Sequence, residues 1–506
     1  MDMASQTSPG GFAFDNSFAR ELEGLYAPWQ AAQTPAPRLL KFNLALAEEI
    51  GLDGTALNGA LGADIFSGNR LPDGAAPLAQ AYAGHQFGGY SPRLGDGRAL
   101  LLGEVIGRNG QRRDIAFKGS GRTPFSRNGD GKAALGPVLR EYLIGEAMHA
   151  LGLPTTRALA AVTTGESIWR QEGELPGAVL TRVAASHIRV GTFQFVAAQN
   201  DPAALRQLAD YVIRRHYPDR ETDGNPYLAM FRAVIERQAA LVAGWMTVGF
   251  IHGVMNTDNM TLSGETIDYG PCAFMDRFDP DTVFSSIDEN GRYAYGNQPM
   301  MANWNLARLA ETLLPLFADD TERAISLATE VLNTFPQRYQ THWLNRMRAK
   351  LGLRGSQPED MALANDFLTA MDGQDVDYTQ AFRHLGEVAS SSTIETHDQA
   401  LAALRARYAD SAALNAWLPR WQQRIQDERS PAERAAAMHA VNPLYIPRNH
   451  KVEEALGAAS EHGDMQPFEQ LLKVIQQPFS EQADAQDYRE PAPVAVAANY
   501  QTFCGT

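Results

Sequence analysis

Two textures of apolar spacing divide the chain. Between residues 81 and 184, apolar runs such as "RALLLGEVIG" and "RRDIAFKGSG" alternate with glycine-rich turns, the pattern of β-strands. One helix interrupts them. "GPVLREYLIGEAMHALGLP" sets Leu139, Tyr142, Leu143 and Ala147 on a single face, with Gly152 and Pro154 as stop signals. After Asp201 helical spacing takes over: Phe231, Val234, Ile235, Leu241, Val242 and Trp245 mark one long helix, and "NWNLARLAETLLPL" continues the style. Before residue 80 the sequence is mostly turns, with one helical pattern in "KFNLALAEEIGL". This spacing predicts an N-terminal extension over 1–79, a small β-rich lobe over 80–200 and a helical lobe over 201–330. A further helical region over 331–479 and an irregular tail over 480–506 complete the expectation of a mixed α/β (α+β) fold with two lobes.

Composition narrows the class. Hydrophobic residues at 44% and charged residues at 20% are ordinary for a soluble globular chain. The net charge of −15 argues against nucleic-acid and anionic-membrane partners, while leaving room for a local basic pocket. No basic start followed by an apolar run opens the sequence, so a cytoplasmic protein is expected. Residues 238–257 carry no formal charge, but Gln238, Thr247, His252 and Asn256 interrupt them, which predicts a buried helix rather than a membrane span. With 2 cysteines there is neither a disulfide scaffold nor a cysteine-rich zinc site.

The candidate chemistry sits in "FIHGVMNTDNMTLSGETIDYG", Phe250 to Gly270. Laid over a protein-kinase catalytic loop, His252 takes the place of the loop histidine, Asn259 that of the metal-binding Asn, and Asp268-Tyr269-Gly270 that of D-F-G. The base position of that template is Val254. Met260–Leu262 and Thr266–Ile267 read as two short strands around a Ser-Gly turn, a hairpin that would carry Asn259 and Asp268 to one divalent ion. Their oxygen donors suit magnesium. Asp258 is the natural substitute for the missing base, or a further metal contact. Upstream, Lys118 ends an apolar strand, and Glu141 follows on the helix, the order of a phosphate-binding lysine and its glutamate partner. Gly95, Gly97, Gly129 and Gly131 free backbone amides that could cradle phosphates beside Arg98, although Gly-Asp-Gly also makes a plain tight turn. Arg182 and Arg189 share a face if their segment is helical and oppose each other if it is extended; each lies in an apolar context that calls for a partner.

Together "AYAGHQFGGYSPRLGDGRA", "FKGSGRTPFSRNGDGKA", "HGVMNTDNM", "DYGPCAFMD", "YAYGNQP" with "WNLARLAETLLPL", and "NPLYIPRNHKVEEAL" resemble the selenoprotein O family. The resemblance runs from about residue 80 to 460, in fixed order. It implies a kinase-like fold, once classed as a pseudokinase, that moves AMP from ATP to Ser, Thr or Tyr hydroxyls of partner proteins. It also implies ATP bound in reverse relative to kinases. Carried onto this chain, nucleotide contacts fall on Gly95, Gly97, Arg98, Lys118, Asp130, Gly131, Arg182, Arg189 and Asp268. Asn259 and Asp268 become the metal ligands, for Mg2+ or Mn2+, Asp258 the base, and Glu141 the residue that holds Lys118. Members of the family can carry selenocysteine near the C-terminus; here the position reads Cys504.

Three alternatives stand beside this reading: an ordinary γ-phosphate kinase, UMP transfer from UTP with manganese, and a non-catalytic nucleotide-binding regulator. A monomer is expected. From their placement alone, Cys272 beside the metal site and Cys504 on the tail are expected to form a reversible disulfide that makes transfer sensitive to redox state.

Overall fold

The computed structural model describes residues 10–171, 173–219 and 224–503. Its first lobe is built on a sheet whose strands, in chain order, are β1 (Tyr26–Pro28), β2 (Arg38–Phe42), β3 (Leu78–Gln80), β6 (Ala99–Ile106), β7 (Arg112–Lys118), β8 (Ala133–Ala134), β9 (Arg157–Arg170) and β10 (Gly173–Ala184). A separate small hairpin, β4 (Gly84–Gln86) with β5 (Gly89–Ser91), lies between β3 and β6 in sequence. The spatial order is β1-β3-β6-β7-β10-β9-β2, with β8 on β10, and every pairing is antiparallel. The segment before residue 80, expected as an extension, therefore supplies both ends of this strand order. "KFNLALAEEIGL" also divides: Lys41 and Phe42 end β2, and the helix begins only at Leu44. Asn43 makes the break, because its side chain caps Leu46 N–H while donating to Glu146 and to the Ala158 carbonyl.

The helix Leu135–Ala150 packs on β9 and β10 through Leu139, Tyr142, Leu143 and Ala147, all buried, and Gly152 follows it at φ +74°. The second lobe is centred on the helix Pro226–Val248. Asn225 caps its start, Pro226 fits its first turn, and Gly249 ends it in the left-handed region at φ +74°. The apolar positions 231, 234, 235, 241, 242 and 245 are buried. Among the described residues no helix is long and apolar enough to cross a membrane. Within the uncharged stretch, Gln238 instead donates to the Thr261 carbonyl at 2.7 Å.

The expected hairpin after Asn259 does not form as two strands. Thr261 bridges Arg189 and Thr266 bridges Thr155, so the backbone pairs outward with the first lobe. The turn itself is closed by Thr261 Oγ1 donating to the Glu265 carbonyl at 2.7 Å.

Arg448 clamps the C-terminal region onto this core. Its guanidinium, 1% exposed, reaches Asp276 and Asp377 at 2.6 Å each and donates to the Arg489 carbonyl at 2.6 Å. The tail is docked rather than loose: Thr502 exchanges backbone hydrogen bonds with Phe284 and Ser286, and its hydroxyl donates to the Pro271 carbonyl at 2.7 Å.

Removing the clamp would leave two buried carboxylates without their cation. Arg448→Met is expected to cost about 3–5 kcal/mol of stability, read as a lowered urea midpoint. An unchanged midpoint would show that Asp276 and Asp377 find other partners.

Candidate active site

A cavity of about 1010 Å³ lies between the lobes, lined from one side by Tyr82, the two glycine-rich loops and Lys118, and from the other by Val254, Asp258 and Gly270. Gly95, Gly97, Arg98, Lys118, Asp130, Gly131, Arg182, Arg189, Asp258, Asn259 and Asp268 all line it. Glu141 stands behind, bound to Lys118. Residues scattered over the sequence thus meet at one place.

The two glycine loops are sewn together. Thr123 Oγ1 donates to the Asp96 carbonyl at 2.6 Å, and Ser126 Oγ donates to the Gly97 carbonyl. Gly131, at φ +70°, passes so close to Gly121 that a Cβ would sit 2.1 Å from its carbonyl oxygen. Gly95, at φ +72°, has the Phe125 ring 2.4 Å from where a Cβ would be. Both positions need glycine for conformation and for space. Asp130 faces Arg170 at 2.9 Å and accepts from Lys132 N–H, which shapes the second loop.

Asp268 is the electrostatic centre. Lys118 Nζ lies 2.8 Å from its Oδ1, and Arg182 Nη1 lies 2.6 Å from the same oxygen. Arg189 stands 3.6 Å from Oδ2. Glu141 receives Lys118 at 2.5 Å and Arg182 at 3.1 Å. Burial works against ionising Asp268, but Lys118, Arg182 and Arg189 overcome it and hold the carboxyl well below its usual range. The two arginines share neither a helix face nor a strand. Arg182 lies in β10, and Arg189 precedes the helix Val190–Ala197, with a loop turning one toward the other.

That loop is fixed from behind. Arg182 Nε donates to His187 Nε2 at 3.2 Å, so the ring carries its proton on Nδ1, which donates to Asp114 at 2.8 Å. Arg215 continues the chain, pairing with Asp114 and Glu104. Arg189 lies over the Tyr82 ring at 4.3 Å and donates to the Asp258 carbonyl at 3.1 Å.

The catalytic-loop segment is irregular, and side-chain amides satisfy its backbone. His252 Nε2 donates to the Ile267 carbonyl at 3.0 Å, joining the loop to the Asp-Tyr-Gly segment. Gln298 accepts from His252 N–H and donates to Phe250, while Asn305 donates to Met255. Gln298 and Asn305 fall in the "GNQP" and "WNLAR" motifs, whose order was visible but whose roles were not. Asn259 Nδ2 donates to the Val254 carbonyl at 2.9 Å, which leaves its amide oxygen as the free ligand atom. With Asp268 held as a carboxylate whose Oδ2 accepts no hydrogen bond among the described residues, this pair offers two hard oxygen donors, a set that fits magnesium completed by phosphate and water. Among the described residues no group of three or more His, Cys, Asp or Glu could hold a metal alone. Burial pushes the Asp258 carboxyl up to about 6. Cys272 is a buried free thiol that burial pushes up to about 12; Cys504 lies outside the described residues.

A family model described as "Protein adenylyltransferase SelO" matches residues 11–476. The protein nucleotidyltransferase YdiU of Cereibacter sphaeroides (strain ATCC 17029) is 62% identical over 495 residues, 98% of this chain and 100% of the relative. The Rhizobium etli protein of the same name (strain ATCC 51251) is 57% identical over 500 residues, covering 98% of each chain. That of Rhizobium rhizogenes (strain K84) is 56% identical over 494 residues, 97% of each.

The loop that presents the two arginines carries its own pH dependence. Ser186 shares a 2.8 Å hydrogen bond with His216, whose ring burial, with Arg215 and Arg237 nearby, pushes down to about 3. The unfolded chain binds this proton first, near pH 6.5, so the stability of the neutral ring is complete above that value. It is lost as pH falls, by about 1.4 kcal/mol per unit until the folded value is reached. The urea midpoint is expected to drop on moving from about pH 7 to about pH 5, and less steeply in His216→Gln. Equal slopes for both proteins would remove His216 as the cause.

Proposed function

The chain belongs to the SelO protein adenylyltransferase family, and from that premise we propose that it transfers AMP from ATP to Ser, Thr or Tyr hydroxyls of other proteins. The observation that carries this reading is the convergence of Lys118, Arg182 and Arg189 on the Asp268 carboxylate, in the cavity that also holds Asn259 and Asp258. Three cations around one carboxylate exceed what a lysine–glutamate pair needs. They suit a nucleotide bound in reverse, with its outer phosphates toward the cations and its α-phosphate toward Asn259 and Asp268. Magnesium, when bound there, neutralises phosphate charge.

In the reaction the acceptor hydroxyl oxygen attacks the α-phosphorus, and the bond to the pyrophosphate oxygen breaks. The hydroxyl proton passes to Asp258. A carboxyl raised to about 6 is mostly ionised at neutral pH, yet closer in proton affinity to the task than an exposed one. Val254 removes the base position of a kinase, while Asp258, in the short 3-10 turn Thr257–Asn259, keeps a carboxylate in the same cavity. The remaining work is positioning and charge neutralisation.

The same reading retains the redox element. Thr502 binds the Pro271 carbonyl, beside Cys272 and two residues before Cys504, so a Cys272–Cys504 disulfide would tie down a tail that already docks here. Non-reducing peptide mapping tests that bond.

Intact-mass analysis after incubation with ATP and magnesium separates the alternatives. An AMP increment is expected; a phosphate increment marks a kinase, and no increment marks the regulator that Val254 would otherwise suggest. UTP with manganese in a parallel sample reports UMP transfer. Asp268→Ala is expected to abolish the increment, and near-wild-type transfer at saturating magnesium would refute the ligand assignment.

Nucleotide polarity has a separate test. Lys118→Ala and Arg182→Ala are expected to weaken ATP about ten- to a hundredfold, the worth of a charged hydrogen bond, and AMP far less. Calorimetry giving equal losses for the two nucleotides would reverse the orientation.

A further inference from the structure

The hairpin β4–β5 stands apart as a small two-stranded sheet, and three consecutive residues of it bind the catalytic-loop segment. His85 N–H donates to Thr257 Oγ1 at 2.7 Å, Gln86 Nε2 to Asp258 Oδ2 at 3.2 Å, and Phe87 N–H to Asn256 Oδ1 at 3.0 Å. Gln194 secures the arrangement, donating to His85 Nδ1 and accepting from Thr257 Oγ1, each at 2.7 Å. Phe87 holds a positive φ of 50°, uncommon for an aromatic residue, next to Gly88 at φ 88°. Its ring packs on Tyr293, whose hydroxyl also donates to Asn256. The hairpin is therefore fixed on the loop by bonds that specify its register.

Asp258 is the residue this register serves. Its Oδ1 is buried without a hydrogen-bond partner among the described residues, and a Cβ on Gly84 would stand 2.5 Å from that oxygen. Gly84 leaves room for the carboxylate, and among the described residues Gln86 is the side chain that donates to it. Its own backbone N–H also acts on the carboxylate, but a buried carboxylate with so few partners has its rotation restricted by the Gln86 amide.

We propose that Gln86 is the positioning residue for Asp258, fixing the carboxylate's orientation toward the acceptor hydroxyl while taking no part in nucleotide binding. The inference rests on Asp258 being the group that takes the acceptor proton.

A double-mutant cycle tests it, with pyrophosphate release from ATP and dephosphorylated casein as the hydroxyl acceptor. Gln86→Met keeps the shape and removes the donor; Gln86→Ala checks that the result does not depend on the methionine. Both are expected to lower kcat about ten- to a hundredfold, the cost of a misplaced reacting group, with the calorimetric Kd for ATP unchanged. In an Asp258→Asn background the same changes are expected to do nothing further, because the group they position is gone. Multiplicative losses in that background, a fall in ATP affinity, or a rise in kcat would each overturn the proposal; the last would make Gln86 a shield over Asp258. Full turnover in Asp258→Asn itself would instead remove the base assignment on which the proposal rests.

Discussion

The Asp268 carboxylate and the cations around it are the constraint on which the rest of the site depends. Charges withdrawn from water are tolerated only where partners and hydrogen bonds replace hydration, and removing one member strands the others. Lys118 comes from β7, Arg182 from β10, Arg189 from the start of a helix, and Glu141 from the helix laid across the sheet. One group of charges thereby fixes four elements of the first lobe against the Asp-Tyr-Gly segment of the second. Asp268 itself sits in the left-handed region, at φ 62°, a conformation a non-glycine residue keeps only where its surroundings impose it. The same surroundings leave the carboxylate ionised.

Around that centre the backbone is irregular, and its polar groups are satisfied by amides from regular helices. Gln238, Gln298 and Asn305 each send a side-chain N–H to a carbonyl of the segment between Phe250 and Thr261. Most of this segment is buried, and its backbone polar groups need hydrogen-bond partners, which these side chains supply. The polar interruptions of otherwise apolar helices are thus supports for the loop.

Much of this was legible in order and little of it in contact. The Lys118, Glu141, Asn259 and Asp268 sequence could be read because each residue type follows a recognisable element at a known place. The helices around Leu139 and Phe231 could be read because their apolar period is long and regular. Arg182 and Arg189 stand out by their apolar context, but a strand followed by a turning loop is neither of the two regular geometries their spacing suggests. The strands expected on either side of Ser263-Gly264 failed because Thr261 and Thr266 found partners in the first lobe, far away in sequence. Gln86 lies within the motif "AYAGHQFGGYSPRLGDGRA", but nothing in the sequence shows its role: its strand is three residues long, and its partner Asp258 is 172 positions away.

Distance along the chain has a meaning for the order in which the molecule can be completed. Asp276, just beyond the Asp-Tyr-Gly segment, takes Arg448 on one oxygen and Ala492 N–H, 216 residues later, on the other. Phe284 and Ser286 wait for Thr502. During synthesis from the N-terminus, the metal-binding pair and the cations can gather long before these partners exist. The segment leaving the site acquires its final restraints last, so an unfinished chain holds the charged centre without the wall that borders it.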